Sequence, residues 1–191
     1  MKDSKRKIIL AVTGASGSIY AQKLLEKLKA LKEPPSEIAV VFSDTAKEIW
    51  EYELGEKFVP VSTAKVYENN NFYAPFASGS STYDTMIVCP ASMGTLGRIA
   101  GGTSDDLICR AADVILKERR RLIMVPRETP YNLIHIRNME ILTRSGAIIC
   151  PATPNFYCKP ITSDDLVMTV VDRIISLAGF ENDSYHWMEN D

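Results

Sequence analysis

Residues 7–31 read KIILAVTGASGSIYAQKLLEKLKAL, and this stretch decides the fold. Ile8, Ile9, Leu10, Ala11 and Val12 form an apolar run with no polar interruption. That is the pattern of a strand buried on both faces of a parallel sheet. Thr13-Gly14-Ala15-Ser16-Gly17-Ser18 breaks the run with small residues only. Ile19, Leu24, Leu25, Leu28 and Leu31 then recur at roughly helical spacing among Gln22, Lys23, Glu26, Lys27 and Lys29. The stretch predicts a strand, a tight turn and an amphipathic helix. A helix that starts from a glycine-rich turn offers free backbone N–H groups and the positive end of its dipole, which attract a phosphate. A structural turn with Ser as helix N-cap is the other reading. The dinucleotide pattern G-x-G-x-x-G would need glycine at 14, 16 and 19, where Ser16 and Ile19 break it. A P-loop would end in Gly-Lys-Ser/Thr, which is missing, and no tyrosine has lysine four residues on. The turn suits a mononucleotide or a simple phosphate rather than NAD.

Outward from that stretch, the totals set the frame. A chain of 191 residues is long enough for one well-buried α/β domain and short for two. Apolar content of 46% and charged content of 24% are ordinary for a globular protein. A formal charge of −2 gives no electrostatic reason to expect a nucleic acid or an anionic membrane as partner. No apolar run approaches the ~20 residues of a membrane helix, and the basic N-terminus runs straight into a strand pattern, so the expected place is the cytoplasm. Cys89, Cys109, Cys150 and Cys158 form no C-x-x-C pair, and only two histidines occur. The reading is four reduced, mostly buried thiols, with neither a disulfide framework nor a zinc site.

Further apolar runs repeat the opening theme. Strands are predicted at 37–42, weakly at 65–67, and at 86–89, 122–125 and 147–150. Helices are predicted at 46–54, briefly after Pro90-Ala91-Ser92-Met93-Gly94-Thr95, at 105–119 with Ser104 as N-cap, at 131–144, and from Thr162 to about residue 177. Residues 54–83 lack sustained periodicity, but Phe72, Tyr73, Pro75 and Phe76 favour burial at a pocket or a subunit contact. The alternation predicts a single-domain, Rossmann-like (flavodoxin-like) three-layer α/β sandwich over residues 1–191, with a mostly parallel sheet and a polar tail from about residue 179.

Ligands of such sheets bind beyond the carboxyl ends of the strands. Those ends carry Gly14-Ala15-Ser16, Ser43, Ser92 with Thr95, Arg127-Glu128, and Thr153 with Tyr157. Short hydroxyl donors with few charges suit a phosphate and a polar ring edge, although each Ser or Thr alone reads as an N-cap. Arg127-Glu128, stiffened by Pro126 and Pro130, is the sharpest pair. Arginine clamps phosphate bidentately, and a neighbouring carboxyl can pass a proton. Arg110 interrupts an apolar helical pattern and shares a helix face with Lys117, seven residues on. Spacing alone puts Lys117, in the run Lys117-Glu118-Arg119-Arg120-Arg121, on a solvated face.

Over nearly its whole length the sequence resembles the UbiX family of flavin prenyltransferases. The resemblance rests on Thr13-Gly14-Ala15-Ser16-Gly17, Ala77-Ser78-Gly79-Ser80, residues 90–96, and a long block from Arg110-Ala111-Ala112-Asp113-Val114 through Lys117-Glu118-Arg119-Arg120 to Val125-Pro126-Arg127-Glu128-Thr129-Pro130. Pro154-Asn155-Phe156-Tyr157 and the Arg173 helix complete it. It implies transfer of a dimethylallyl group from dimethylallyl phosphate to N5 and C6 of reduced FMN, without a metal. It implies FMN ligands at Gly14, Ala15, Ser16, Ser43, Ser92, Met93, Gly94, Thr95 and Arg127. Catalytic roles fall to Glu128, Lys117 and Arg110, and prenyl-phosphate contacts to Lys117, Tyr157 and Arg173. It also implies a homo-oligomer, a dodecamer, and a UbiD-type decarboxylase that receives the prenylated FMN. Two positions depart from the pattern. Ala91 stands where many members have Cys, and the segment around Trp187, similar to a family tryptophan that closes over the site, matches poorly. Two alternatives stay open. One is a cysteine-decarboxylating flavoprotein of related fold, whose Pro-Ala-Ser-Ala-Asn-Thr motif Met93-Gly94 breaks. The other is a non-catalytic flavin-binding accessory subunit of a decarboxylase.

Overall fold

A computed structural model describes residues 6–183; Trp187 and the end of the tail lie outside the described residues. In chain order the elements are β1 (Lys7–Val12), α1 (Ser18–Ala30), β2 (Glu37–Phe42), α2 (Asp44–Leu54), β3 (Ala64–Glu68), a single 3₁₀ turn (Pro75–Ala77), β4 (Tyr83–Ala91), α3 (Met93–Ala100), α4 (Leu107–Lys117), β5 (Arg121–Pro126), α5 (Leu133–Arg144), β6 (Ile148–Ile149) and α6 (Ser163–Ala178). The six strands form one sheet in the order β3-β2-β1-β4-β5-β6, every pair parallel.

Side chains alternate across the strands, so each sheet face collects its own core. Ile8, Leu10 and Val12 of β1 meet Leu24, Leu25 and Leu28 of α1, Trp50 of α2, and Val171, Ile174 and Ile175 of α6. Ile9 and Ala11 point the other way, towards Leu96 of α3, Leu107, Ala111 and Ile115 of α4, and Phe76. The result is helices over both faces of a parallel sheet, the predicted three layers. From β1 the chain builds outward through β2 and β3, then returns to β4 on the far side of β1. The carboxyl ends of β1 and β4 therefore flank the switch-point crevice where such sheets bind ligands. Among the described residues no helix is long and apolar enough to cross a membrane.

The structure shifts several boundaries. Asp106, not Ser104, caps α4: its carboxylate accepts from the Cys109 amide at 2.8 Å. β4 is nine residues and β6, at one edge of the sheet, only two. The aperiodic stretch contains β3 and packs Phe76 at 1% exposure, whereas Tyr73 is 99% exposed. Cys89 and Cys109 are buried as expected, but Cys158 is exposed.

Candidate active site

The crevice is built around one threonine. Thr13, 1% exposed, sits just past β1. Its amide and its hydroxyl both donate to the Pro90 carbonyl, at 3.2 and 2.7 Å. Its Oγ1 also accepts from the Ser92 amide at 2.7 Å. The ends of β1 and β4 are thereby fixed to each other. Ser92 in turn caps α3: its Oγ accepts from the Thr95 amide at 3.3 Å and donates to Thr95 Oγ1 at 3.1 Å. On the other side of β1, the Ser43 amide donates to the Val12 carbonyl at 3.0 Å. The Ser43 hydroxyl caps α2 by accepting from the Ala46 amide at 3.2 Å. The turn itself lies hard against that helix start, since a Cβ on Gly14 would come within 3.0 Å of the Thr45 side chain. At Gly94 a Cβ would meet nothing within 4 Å, so there is open space over the first turn of α3.

The start of α1 differs from its expectation. Gly17 caps it with φ +113° and no side-chain cap, a conformation that favours glycine. The Gly17 amide donates to the Glu53 carboxylate at 2.9 Å and the Ser18 amide does so at 2.8 Å. A carboxylate from α2 thus occupies the position that sequence reading reserved for a phosphate, and a second anion there would be repelled. Burial raises the Glu53 carboxyl, but hydrogen bonds from Ser16, Ser18 and Gly17 outweigh it and hold the group below the ordinary carboxylate range. A phosphate must use other donors. The unpaired first amides of α2 and α3, the Ser43 hydroxyl and Arg127 are the groups at hand.

Arg127 follows β5, with its amide on the Ala91 carbonyl at 3.3 Å. Its Cγ lies 3.8 Å from where a Cβ of Gly17 would stand. It also reaches Tyr20 electrostatically: burial raises that phenol most, Cys89 adds to the rise and Arg127 opposes it. The stem of the Arg127 side chain therefore passes beside the glycine turn. Glu128, next in the chain, is exposed and its carboxylate accepts from the Thr129 amide at 2.9 Å. Beyond β6, Tyr157 is 65% exposed. Arg173 of α6 lines an open groove of ≈500 Å³ with Asn155, Lys159, Thr169 and Asp172. Glu128 and Tyr157 follow the carboxyl ends of β5 and β6, whereas Arg173 lies well along α6, whose last residue Ala178 meets Arg6 and Arg121 at the amino edge.

Lys117 ends α4, immediately before β5 begins, so it stands at the amino edge. Five strand steps, roughly 17 Å, separate Arg121 from Pro126. There the Lys117 ammonium pairs with Glu118 beside Gly79, where a Cβ would fall 2.7 Å from Lys117 Nζ. Arg110 lies on the flank of α4, donating to the Ala77 carbonyl at 3.0 Å and to Asp113 at 3.1 Å. Within one chain, then, the predicted FMN set is gathered at the crevice, whereas Lys117 is held away from Glu128.

The donor set fits a flavin mononucleotide: hydroxyls and helix-start amides for a ring edge and a phosphate, one guanidinium for charge, and free space above Gly94. Asp105, Asp106 and Cys109 cluster within 4.8 Å, but Arg98 already bridges the carboxylates, at 2.9 Å to Asp105 and 2.6 Å to Asp106. That cluster is an ion pair between helices rather than a vacant cation cage. Glu53 and Arg98 were not singled out from sequence. Glu53 looks like any other glutamate of an exposed helix face, and only its partner 36 residues away sets it apart.

Fold and crevice together define an α/β flavoprotein. Residues 1–177 match the family model described as Flavoprotein. A flavin prenyltransferase UbiX of Methanocaldococcus jannaschii is 44% identical over 178 residues, spanning 92% of this chain and 95% of that protein. The crystal structure of AnUbiX in complex with FMN and dimethylallyl pyrophosphate superposes with a TM-score of 0.85 at 41% identity, covering 96% of this chain and 99% of that one. A dodecameric, FMN-dependent UbiX-like decarboxylase from Escherichia coli gives 0.86 at 38% identity, covering 95% and 99%. The chain belongs to the UbiX family of flavin prenyltransferases. The peptidyl-cysteine decarboxylase EpiD, at 16% identity and a TM-score of 0.62, shares the fold alone.

Proposed function

We propose that this chain transfers the dimethylallyl group of dimethylallyl phosphate to N5 and C6 of reduced FMN. The observation that carries the reading is Arg127-Glu128 at the carboxyl end of β5, on the same edge as the hydroxyl-lined crevice. The flavin supplies the electron-rich ring that accepts the prenyl carbon. Gly14, Ala15, Ser16, Ser43, Ser92, Met93, Gly94, Thr95 and Arg127 would hold it. When the allylic C–O bond breaks, electrons leave with the phosphate. Glu128 would give that phosphate a proton, and Tyr157 and Arg173 would contact it, Arg173 from the groove that it lines. Such proton delivery is worth about 10²–10⁴ in rate, and cations on the departing phosphate add electrostatic stabilisation.

Lys117, at the amino edge, needs a second copy to take part. A patch at the amino edge that meets a patch at the carboxyl edge of a neighbour is a heterologous contact, and such contacts form rings where the rotation closes. This supports a homo-oligomer, in keeping with the dodecameric relative, with Lys117 of one copy facing Glu128 of the next. The product would pass to a UbiD-type decarboxylase.

Anaerobic incubation with reduced FMN and either dimethylallyl phosphate or its pyrophosphate, followed by mass spectrometry of the extracted flavin, tests the reading. A gain of one five-carbon prenyl unit is expected. Unchanged FMN with both donors, under conditions where a characterised relative reacts, overturns it.

A further inference from the structure

We infer that Arg98, a residue with no assigned role, is a positioning residue that fixes the hydroxyl proton of Thr95 so that it points into the crevice. Thr95 is 4% exposed, and its hydroxyl has one proton and two lone pairs. Ser92 Oγ donates to Thr95 Oγ1 at 3.1 Å. Arg98 Nη2 donates to the same oxygen at 3.4 Å. Arginine can only donate, so with both lone pairs engaged the Thr95 proton is left for an acceptor outside this cluster. The first open space is over α3, and the acceptor would be a flavin carbonyl oxygen, ring nitrogen or phosphate oxygen. Without Arg98, the position it fills at Thr95 Oγ1 is vacated and the hydroxyl proton can turn there instead, which removes the donor from the ligand.

Arg98 is held for this task from the other side. Nη1 takes Asp105 at 2.9 Å and Asp106 at 2.6 Å, and Asp106 is itself fixed as the N-cap of α4. A forked side chain spans both duties: one nitrogen serves the carboxylates and the other serves Thr95. Lysine, with a single nitrogen, keeps the first and loses the second. Because the two carboxylates offset the guanidinium charge, the effect on the ligand runs through Thr95 rather than through net charge.

The inference rests on the reading that Thr95 contacts FMN, and the test separates the two. FMN is titrated into apoprotein, with the apoprotein melting temperature measured alongside. Thr95→Val and Arg98→Met should each weaken FMN binding by about tenfold, near one lost hydrogen bond. Arg98→Met should add nothing in a Thr95→Val background. Arg98→Lys should keep the wild-type melting temperature, whether or not Arg98→Met folds, and bind FMN as weakly as Thr95→Val. Wild-type affinity in Thr95→Val would remove the Thr95–flavin contact and the inference with it. If Thr95→Val does weaken binding, two results overturn the inference alone: a full Arg98→Met penalty on top of Thr95→Val, or wild-type affinity in Arg98→Lys.

Discussion

The two edges of the sheet are made by the same six strands and do opposite things with polar groups. At the amino edge, charges are spent on one another. Arg6 pairs with Asp84 at 2.8 Å, and Lys7 with Glu37 at 2.8 Å. Tyr83 donates to Glu37 at 2.5 Å, and Arg120 donates to the Gly79 and Tyr83 carbonyls. At the carboxyl edge, hydroxyls and amides dominate, and Arg127 has its side-chain stem beside the glycine turn. Parallel topology explains the contrast. It brings helix starts, with their unpaired N–H groups, to the carboxyl edge, and helix ends to the other. One edge is equipped to bind an anionic ligand and the other to hold the chain together. Lys117 belongs by position to the holding side, while the family resemblance assigns it to the reaction, and a second copy would reconcile the two.

Substitutions sharpen that contrast. Glu128→Gln should have the largest effect. FMN affinity stays near wild type while prenyl transfer per bound flavin slows by about 10²–10⁴, read as single-turnover rates beside flavin titration. Thr13→Val comes next. It keeps the shape but leaves the Pro90 carbonyl and the Ser92 amide without their 2.7 Å partner, at a cost of about 2 kcal/mol in urea unfolding, with weaker FMN binding because the crevice loosens. Tyr83→Phe, at the amino edge, should lower stability by about 1 kcal/mol and leave FMN affinity within twofold. A change in FMN affinity as large as that of Thr13→Val would erase the distinction between the edges.

The smallest effect is that of pH. At the amino edge, hydrogen bonds from Lys7 and Tyr83 hold Glu37 below the ordinary carboxylate range. Burial raises Asp84, but its bonds to Arg6 and Thr85 win and leave it lowered. A carboxyl with a depressed folded pKa contributes stability that is present above its unfolded pKa and lost as pH falls through the folded one. The urea midpoint should therefore hold from neutral pH down to about 5 and decline below about 4, and Glu37→Gln should make that decline shallower. An unchanged slope in Glu37→Gln would show that the lowered carboxyl at the amino edge contributes nothing to acid stability.

Much of this was legible in the sequence because it rests on local pattern. Five strands and the crevice residues follow from apolar runs ended by small or hydroxyl residues. The rest depends on long-range geometry. Nothing local marks β6 as an edge strand of two residues, or distinguishes Asp106 from Ser104 as the α4 cap when both are good capping residues. The α1 start reads as a phosphate site until Glu53 arrives from α2. The shared helix face of Arg110 and Lys117 is correct, but spacing cannot say that the face ends at the far edge from Glu128; that follows only from the direction in which α4 runs.

The most direct test of that last point mixes two inactive variants. Glu128→Gln and Lys117→Met are prepared separately, shown to be inactive alone, and co-assembled by coexpression. If the site takes Glu128 from one copy and Lys117 from its neighbour, random mixing restores about one quarter of wild-type prenyl transfer, since each heterologous contact joins two independent copies. Hetero-oligomers that form and stay inactive would contradict the account.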